Sequence, residues 1–157
     1  MTKYKIKEMA LIIVLVGIDQ MLKIIIDNTL NLGQIIKIVP SIQLTKLYNY
    51  GVSFSFLANK TYLIIAITII AIIYLFILKK SYMNKYINLG INLVIAGGIG
   101  NLIDRLVYNY VIDYIKVDFF NFPIFNLADI LVSLGFIIII IAYLLTKEEK
   151  DENHNKK

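Results

Sequence analysis

TYLIIAITIIAIIYLFIL, Thr61 to Leu78, is a run of eighteen residues without a single charge. A bilayer core of about 30 Å is crossed by roughly 17–25 such residues in a helix. No soluble domain of 157 residues would expose a helix of this kind, so the solvent for much of the chain is lipid. Outward from this span lie three more of similar length, at 9–26, 86–103 and 125–145. The first is interrupted by Asp19, Gln20 and Lys23, the third is rich in Gly and Asn, and the fourth holds Asp129 near its start. Runs this long exclude a membrane β-barrel, whose strands alternate over about ten residues. The expected fold is therefore an all-α membrane protein of four transmembrane helices.

Composition agrees and narrows the chemistry. Apolar residues make up 59% of the chain and charged residues 17%. The net charge of +5 does not point to nucleic acid, because the lysines flank apolar runs and form no patch. Ten of the sixteen basic residues fall in three places: Lys3, Lys5 and Lys7; Lys79, Lys80 and Lys85; and Lys147, Lys150, Lys156 and Lys157. In a four-helix weave these lie on one side, which the positive-inside rule makes cytoplasmic, with both termini. Met9 to Ile18 has the look of a leader's apolar region. The run resumes through Ile24, Ile25 and Ile26 without a small-residue cleavage site, so a retained helix is expected.

One domain over 1–146 is expected, followed by a charged, disordered tail at 147–157. The outer connection at 27–60 alternates in Ile36-Lys37-Ile38 and Ile42-Gln43-Leu44, with Pro40-Ser41 as a break, and predicts a small extracytoplasmic β-structure. The second outer connection, 106–123, carries aromatics suited to the membrane interface, with Asp113 and Asp118. Asp118 reads as a solvated loop charge. Tyr48, Tyr50, Tyr108 and Tyr110 read as interfacial anchors.

With no cysteine, and one histidine, His154, in the tail, catalysis is left to carboxylates, serine, lysine or the backbone. The helix directions bring Asp19, Lys23, Asn101, Asp104, Arg105, Asn126 and Asp129 to the outer ends of their spans, level with Asn49 and Asp113 in the loops. Ionisable groups at such depth are costly and mark a functional site. Blander roles are available to each. Asp19 and Lys23, spaced i,i+4, read as a structural ion pair with the lysine snorkelling outward. Asp104 and Arg105 suit a helix end, Asn126-x-x-Asp129 suits a helix start, and Ala96 with Gly100 suits close helix packing.

Five segments, in order, resemble the signal peptidase II (lipoprotein signal peptidase) family. Asp19-Gln20-Met21-Leu22-Lys23 is similar to its D-Q-x-x-K element, and Tyr48 to Phe54 to its R-N-x-G-A-A-F element, with Tyr48 in place of arginine and Val52-Ser53 in place of two alanines. Gly100 to Arg105 resembles G-N-x-x-D-R, Val111 to Tyr114 resembles V-x-D-F, and Phe125 to Asp129 resembles F-N-x-A-D. The resemblance implies a multi-pass protein of the bacterial cell membrane that removes the signal peptide of diacylglyceryl-modified prolipoproteins, just before the lipidated cysteine. It implies Asp113 and Asp129 as a catalytic dyad near the outer face, with Asn49, Gly51, Asn101, Asp104, Arg105 and Asn126 binding substrate or supporting the pair. Membrane lipids are expected partners. A monomer needing neither metal nor cofactor is expected.

Three rival readings remain, one of them a binding homologue without catalysis, against which both carboxylates of the dyad are retained. A small transporter or ion-binding protein would use Asp113, Asp129 and Asp104 as its carboxylate site and needs a polar path inward, where the spans read as almost purely apolar. A Ser–Lys peptidase would need Ser133, Ser53 or Ser55 to reach Lys23.

Overall fold

A computed structural model describes residues 3–51, 60–79, 84–118 and 122–155. The chain runs α1 (Lys3–Thr29), β1 (Ile35–Val39), β2 (Ile42–Asn49), α2 (Thr61–Lys79), α3 (Lys85–Tyr108), β3 (Val111–Val117) and α4 (Leu127–Asn155). All four helices are long and apolar enough to cross a membrane. Their exposed surface is a belt of large apolar side chains, among them Ile13, Ile70, Tyr62, Leu106 and Ile140, as lipid requires. Each expected span lies in one helix except at the start of the fourth, where Phe125 and Asn126 precede α4. The tail departs from expectation, because α4 continues through Lys147-Glu148-Glu149-Lys150 as far as Asn155. Lys and Glu are strong helix formers and extend a helix already nucleated in the bundle.

Helix α3 is the centre of the bundle. It has the largest buried share of the four spans, while α2 buries only Ile64. Its start is capped by Asn84, whose side chain accepts from the Tyr86 and Ile87 amides, and its end by Asn109 in the left-handed region at φ 64°. Against α4 it packs almost backbone to backbone. A Cβ on Gly90 would lie 2.7 Å from the Gly135 carbonyl oxygen, one on Gly135 would lie 2.6 Å from that of Gly90, and one on Gly97 would strike the Ala128 carbonyl oxygen. Small residues are what permits this approach in lipid, where dispersion replaces the hydrophobic effect.

The sheet caps one end of the bundle in the order β1-β2-β3, all antiparallel. Two of its strands come from the connection where β-structure was expected. The third does not: Val111–Val117 is a strand, where an interfacial loop was expected. Asn49 pairs with Val111 and Leu47 with Asp113, after a register shift between Leu44 and Leu47. Ile112 and Tyr114 pack on Ile26 of α1 and on Leu30 just past its end, fixing the sheet to the bundle. A bridge between Ile115 and Phe125 then carries β3 into the start of α4. The tyrosines named above pack mutually, with the Tyr48 and Tyr110 rings stacked at 4.2 Å and the Tyr48 hydroxyl donating to Asp27. Asp118 is exposed and accepts from Gln43 at 2.8 Å, so it ties two strands instead of standing free.

At the opposite end a polar cluster joins Glu8 and Lys79, which flank the first two expected spans, to Asn92 inside the third. Lys79 pairs with Glu8 at 2.8 Å and donates to Asn92, tying α1, α2 and α3 together. Polar pairs of this kind hold helices together across lipid-facing spans. Between this cluster and the sheet end lies an apolar layer of Ile12, Ile91, Ile95, Ala96 and Leu131.

Candidate active site

Asp113 and Asp129 reach one place from two elements. Asp113 sits in the middle of β3, on the same strand face as Asn49 across the ladder, since Asn49 lies two residues from its direct partner Leu47. Asp129 sits in the first turn of α4. Asn126 joins them. Its Nδ2 donates to Asp113 Oδ1 at 2.7 Å, and its Oδ1 accepts from the Asp129 amide at 3.0 Å. In return the Asn126 amide donates to Asp129 Oδ2 at 3.1 Å, which completes a reciprocal capping box. The capping reading and the site reading of this segment are thus both met by the same atoms.

Each remaining carboxylate oxygen has its own amide donor. Asn49 Nδ2 donates to Asp113 Oδ2 at 2.8 Å, and Asn101 Nδ2 donates to Asp129 Oδ1 at 2.8 Å. The amide orientations are fixed by their other halves. Asn49 Oδ1 accepts from the Gly51 amide at 2.9 Å, and the Gly51 carbonyl in turn accepts from Arg105 at 2.8 Å. Asn101 Oδ1 accepts from Lys23 Nζ at 2.9 Å and from Asn126 at 3.1 Å, leaving only its Nδ2 to face Asp129. Burial, and then the charge of Asp129, push the Asp113 carboxyl up to about 7, against the opposing hydrogen bonds from Asn49 and Asn126. A carboxyl half-protonated near neutral pH, facing a second carboxyl, is equipped for acid–base work.

Behind the pair stands a second layer. Lys23 is 1% exposed and does not snorkel. Its ammonium lies 2.9 Å from Asp19 Oδ2 and 3.0 Å from Asp104 Oδ2, so with Asn101 its three donors are all used. Asp104 also accepts from Gln20 at 2.9 Å and from the Ile112 amide at 3.1 Å, which places it behind β3 and not beside Asp113 and Asp129. Asp19 Oδ1 accepts the Ala128 amide at 3.0 Å, and the Tyr114 hydroxyl accepts that of Leu127 at 3.2 Å. First-turn amides of α4 are orphan donors in any helix, and here α1, β3 and the cap supply their acceptors. Gln20 and Tyr114 were not singled out from sequence, although both lie inside quoted motif segments. Gly100 lets Asp19 close in, since a Cβ there would lie 2.5 Å from Asp19 Oδ2.

Every residue expected at the site is present in this network, but in two layers. Asn49, Asn101 and Asn126 touch the aspartates; Gly51 and Arg105 hold Asn49; Asp19, Lys23 and Asp104 lie behind. Among the described residues, Ser133 does not join them. Ser133 donates to the Asp129 carbonyl of its own helix, and Ser53 and Ser55 lie outside the described residues.

Comparison with known proteins bears on this arrangement. A family model described as Signal peptidase (SPase) II matches residues 11–145. A lipoprotein signal peptidase of Streptococcus agalactiae is 43% identical over 148 residues, covering 91% of this chain and 94% of the relative. One from Bartonella tribocorum is 43% identical over 146 residues, covering 88% and 87%. A solved bacterial membrane enzyme superposes with a TM-score of 0.85 at 34% identity, covering 92% of this chain and 91% of its own. By family match, sequence and fold, this chain belongs to the signal peptidase II family.

Proposed function

We propose that the chain is an aspartic endopeptidase of the bacterial cell membrane that removes signal peptides from diacylglyceryl-modified prolipoproteins, cutting before the lipidated cysteine. The observation that carries this reading is the bridge of Asn126 between Asp113 and Asp129, with Asp113 raised to about 7. Membership of the family, and relatives that are lipoprotein signal peptidases, support the substrate class.

The chemistry needs one proton on the pair. With Asp113 raised to about 7, the cycle starts with the shared proton on Asp113. Asp129 takes a proton from water as the water oxygen bonds to the scissile carbonyl carbon, while Asp113 gives its proton to the carbonyl oxygen. The resulting gem-diol collapses when Asp113 takes back a hydroxyl proton and Asp129 passes its own to the departing nitrogen. The C–N bond breaks, and the pair returns to its first state with no covalent intermediate.

Position supports the substrate class as well. The aspartates lie where the apolar spans meet the sheet, and the positive-inside rule puts that end outside, with both termini in the cytoplasm. A cysteine anchored by acyl chains stops at that depth. Burying those chains contributes about 0.8 kcal/mol per methylene, and such remote binding can orient the scissile bond. The apolar layer of Ile12, Ile91 and Ile95 between the two polar clusters disfavours the transporter reading, which needs a polar path between them.

The test compares one prolipoprotein peptide with and without its diacylglyceryl group, in bilayers, at matched enzyme concentration. Removing the lipid is expected to lower kcat as well as raise KM. Equal kcat/KM on both peptides would reject lipoprotein specificity and leave a general membrane endopeptidase.

A further inference from the structure

The Asp19–Lys23 pair was expected to be structural, and two of the lysine's three contacts fit that role. The third does not. A structural ion pair between α1 and α3 is complete with Asp19 and Asp104, each about 3 Å from the ammonium. The remaining N–H is spent on Asn101 Oδ1, at 2.9 Å, and Asn101 is the residue whose other end donates to Asp129.

We propose that Lys23 is a positioning residue for the reaction, acting through Asn101 to hold the amide donor of Asp129 in one orientation. The inference rests on the dyad reading above and extends it to a residue that touches neither aspartate nor substrate.

An asparagine amide can present either end to a neighbour at little intrinsic cost, so its environment must choose. At Asn101 two donors, Lys23 and Asn126, converge on the oxygen. Asn126 alone is a weak determinant, because its Nδ2 also serves Asp113 at 2.7 Å and approaches the Ile112 carbonyl at 3.4 Å. The ammonium is the stronger one, since a charged donor makes a bond roughly twice as strong as a neutral one. It also polarises the amide it holds, which strengthens the Nδ2 donor facing Asp129. A flipped Asn101 would set its oxygen against the carboxylate and its NH₂ against the ammonium, and both contacts would be repulsive.

Four charges face the pair from the second layer. Asp19 and Lys23 come from α1, and Asp104 and Arg105 from α3; all four are buried. They balance formally, two cations against two anions. The Asn101 contact is the directional part of Lys23's influence, and the field of its ammonium, which lowers the Asp113 carboxyl, is a second, non-directional part.

The experiment is a double-mutant cycle on kcat per folded molecule, using Lys23→Met, Asn101→Ala and the double variant. Lys23→Met alone is expected to lower kcat about tenfold or more, with KM little changed, as small misplacements of catalytic groups do. In the Asn101→Ala background the same change is expected to move kcat by a clearly smaller factor, because the route through Asn101 is already cut and only the field of the ammonium on Asp113 remains. Equal fractional losses in both backgrounds would overturn the proposal and return Lys23 to a purely structural role. Lys23→Met leaves two buried carboxylates facing each other. If it fails to fold, Lys23→Met with Asp104→Asn removes one charge of each sign, and the same cycle is run from Asp104→Asn. Asp129→Asn in parallel separates the two ideas. If that variant still cleaves, the dyad reading itself has failed, whatever the cycle shows.

Discussion

Asn126 holds Asp113 by its side-chain nitrogen, at 2.7 Å, while its side-chain oxygen and backbone nitrogen cap the helix that carries Asp129. One residue thus sets a strand and a helix in register and leaves their carboxyls facing one site. Its two duties are separable. Serine caps a helix about as well as asparagine but has no amide to donate to Asp113. Asn126→Ser is expected to melt within a few degrees of the parent yet lose about tenfold or more in kcat. Thermal melts in detergent and peptide cleavage, on the same preparation, check both halves. A variant that is both stable and fully active would separate the bridge from the reaction.

Asp113 carries a pH signature. Its carboxyl is raised from 3.8 to about 7 in the fold, so between these values the native state holds a proton that the unfolded state has lost. Its contribution to stability is therefore full below about pH 4, falls as pH rises, and is gone above about 7. The difference in melting temperature between the parent and Asp113→Asn should shift in this direction across that window and level off beyond it. Cleavage that requires a protonated Asp113 should decline over the alkaline side of the same transition. A flat difference from pH 4 to 8 contradicts the assignment.

Two neighbouring glycines should behave in opposite ways. A methyl on Gly97 would strike the Ala128 carbonyl oxygen and press on Val132, forcing α4 away from α3. Overpacking of this kind costs about 1–3 kcal/mol and would displace the turn that bears Asp129. At Gly98 the nearest atoms are those of Ile72, at 3.5 Å, which is ordinary contact. Gly98→Ala is expected to be neutral or stabilising by up to about 1 kcal/mol, from helix propensity alone. Denaturation midpoints of the two variants measure the contrast.

The helices were legible because a lipid-facing span announces itself residue by residue, as Thr61 to Leu78 does. The capping box was legible for the same local reason, since Asn126 and Asp129 are three residues apart. The third strand was not. Val111–Val117 reads as an aromatic-flanked loop until β2, far earlier in the chain, supplies its hydrogen bonds, and no local spacing encodes that partner. Lys23 shows the same limit. Its i,i+4 relation to Asp19 is visible in sequence, but Asp104 and Asn101 arrive from α3, and only they turn a surface-seeking lysine into a buried one. The polar cluster of Glu8, Lys79 and Asn92 has no local signature, because its members belong to three helices: Glu8 and Lys79 alone look like span edges, and Asn92 like one more asparagine of an Asn-rich span.

The central claim is that Asp113 and Asp129 together perform the cleavage. Purified Asp113→Asn and Asp129→Asn, in bilayers with a lipidated prolipoprotein peptide, test it most directly. Asparagine keeps the shape and the hydrogen-bond reach of each side chain but cannot cycle a proton. Both variants are expected to fold, to insert and to release no signal peptide above the uncatalysed background. Near-parental turnover by either one would contradict the account.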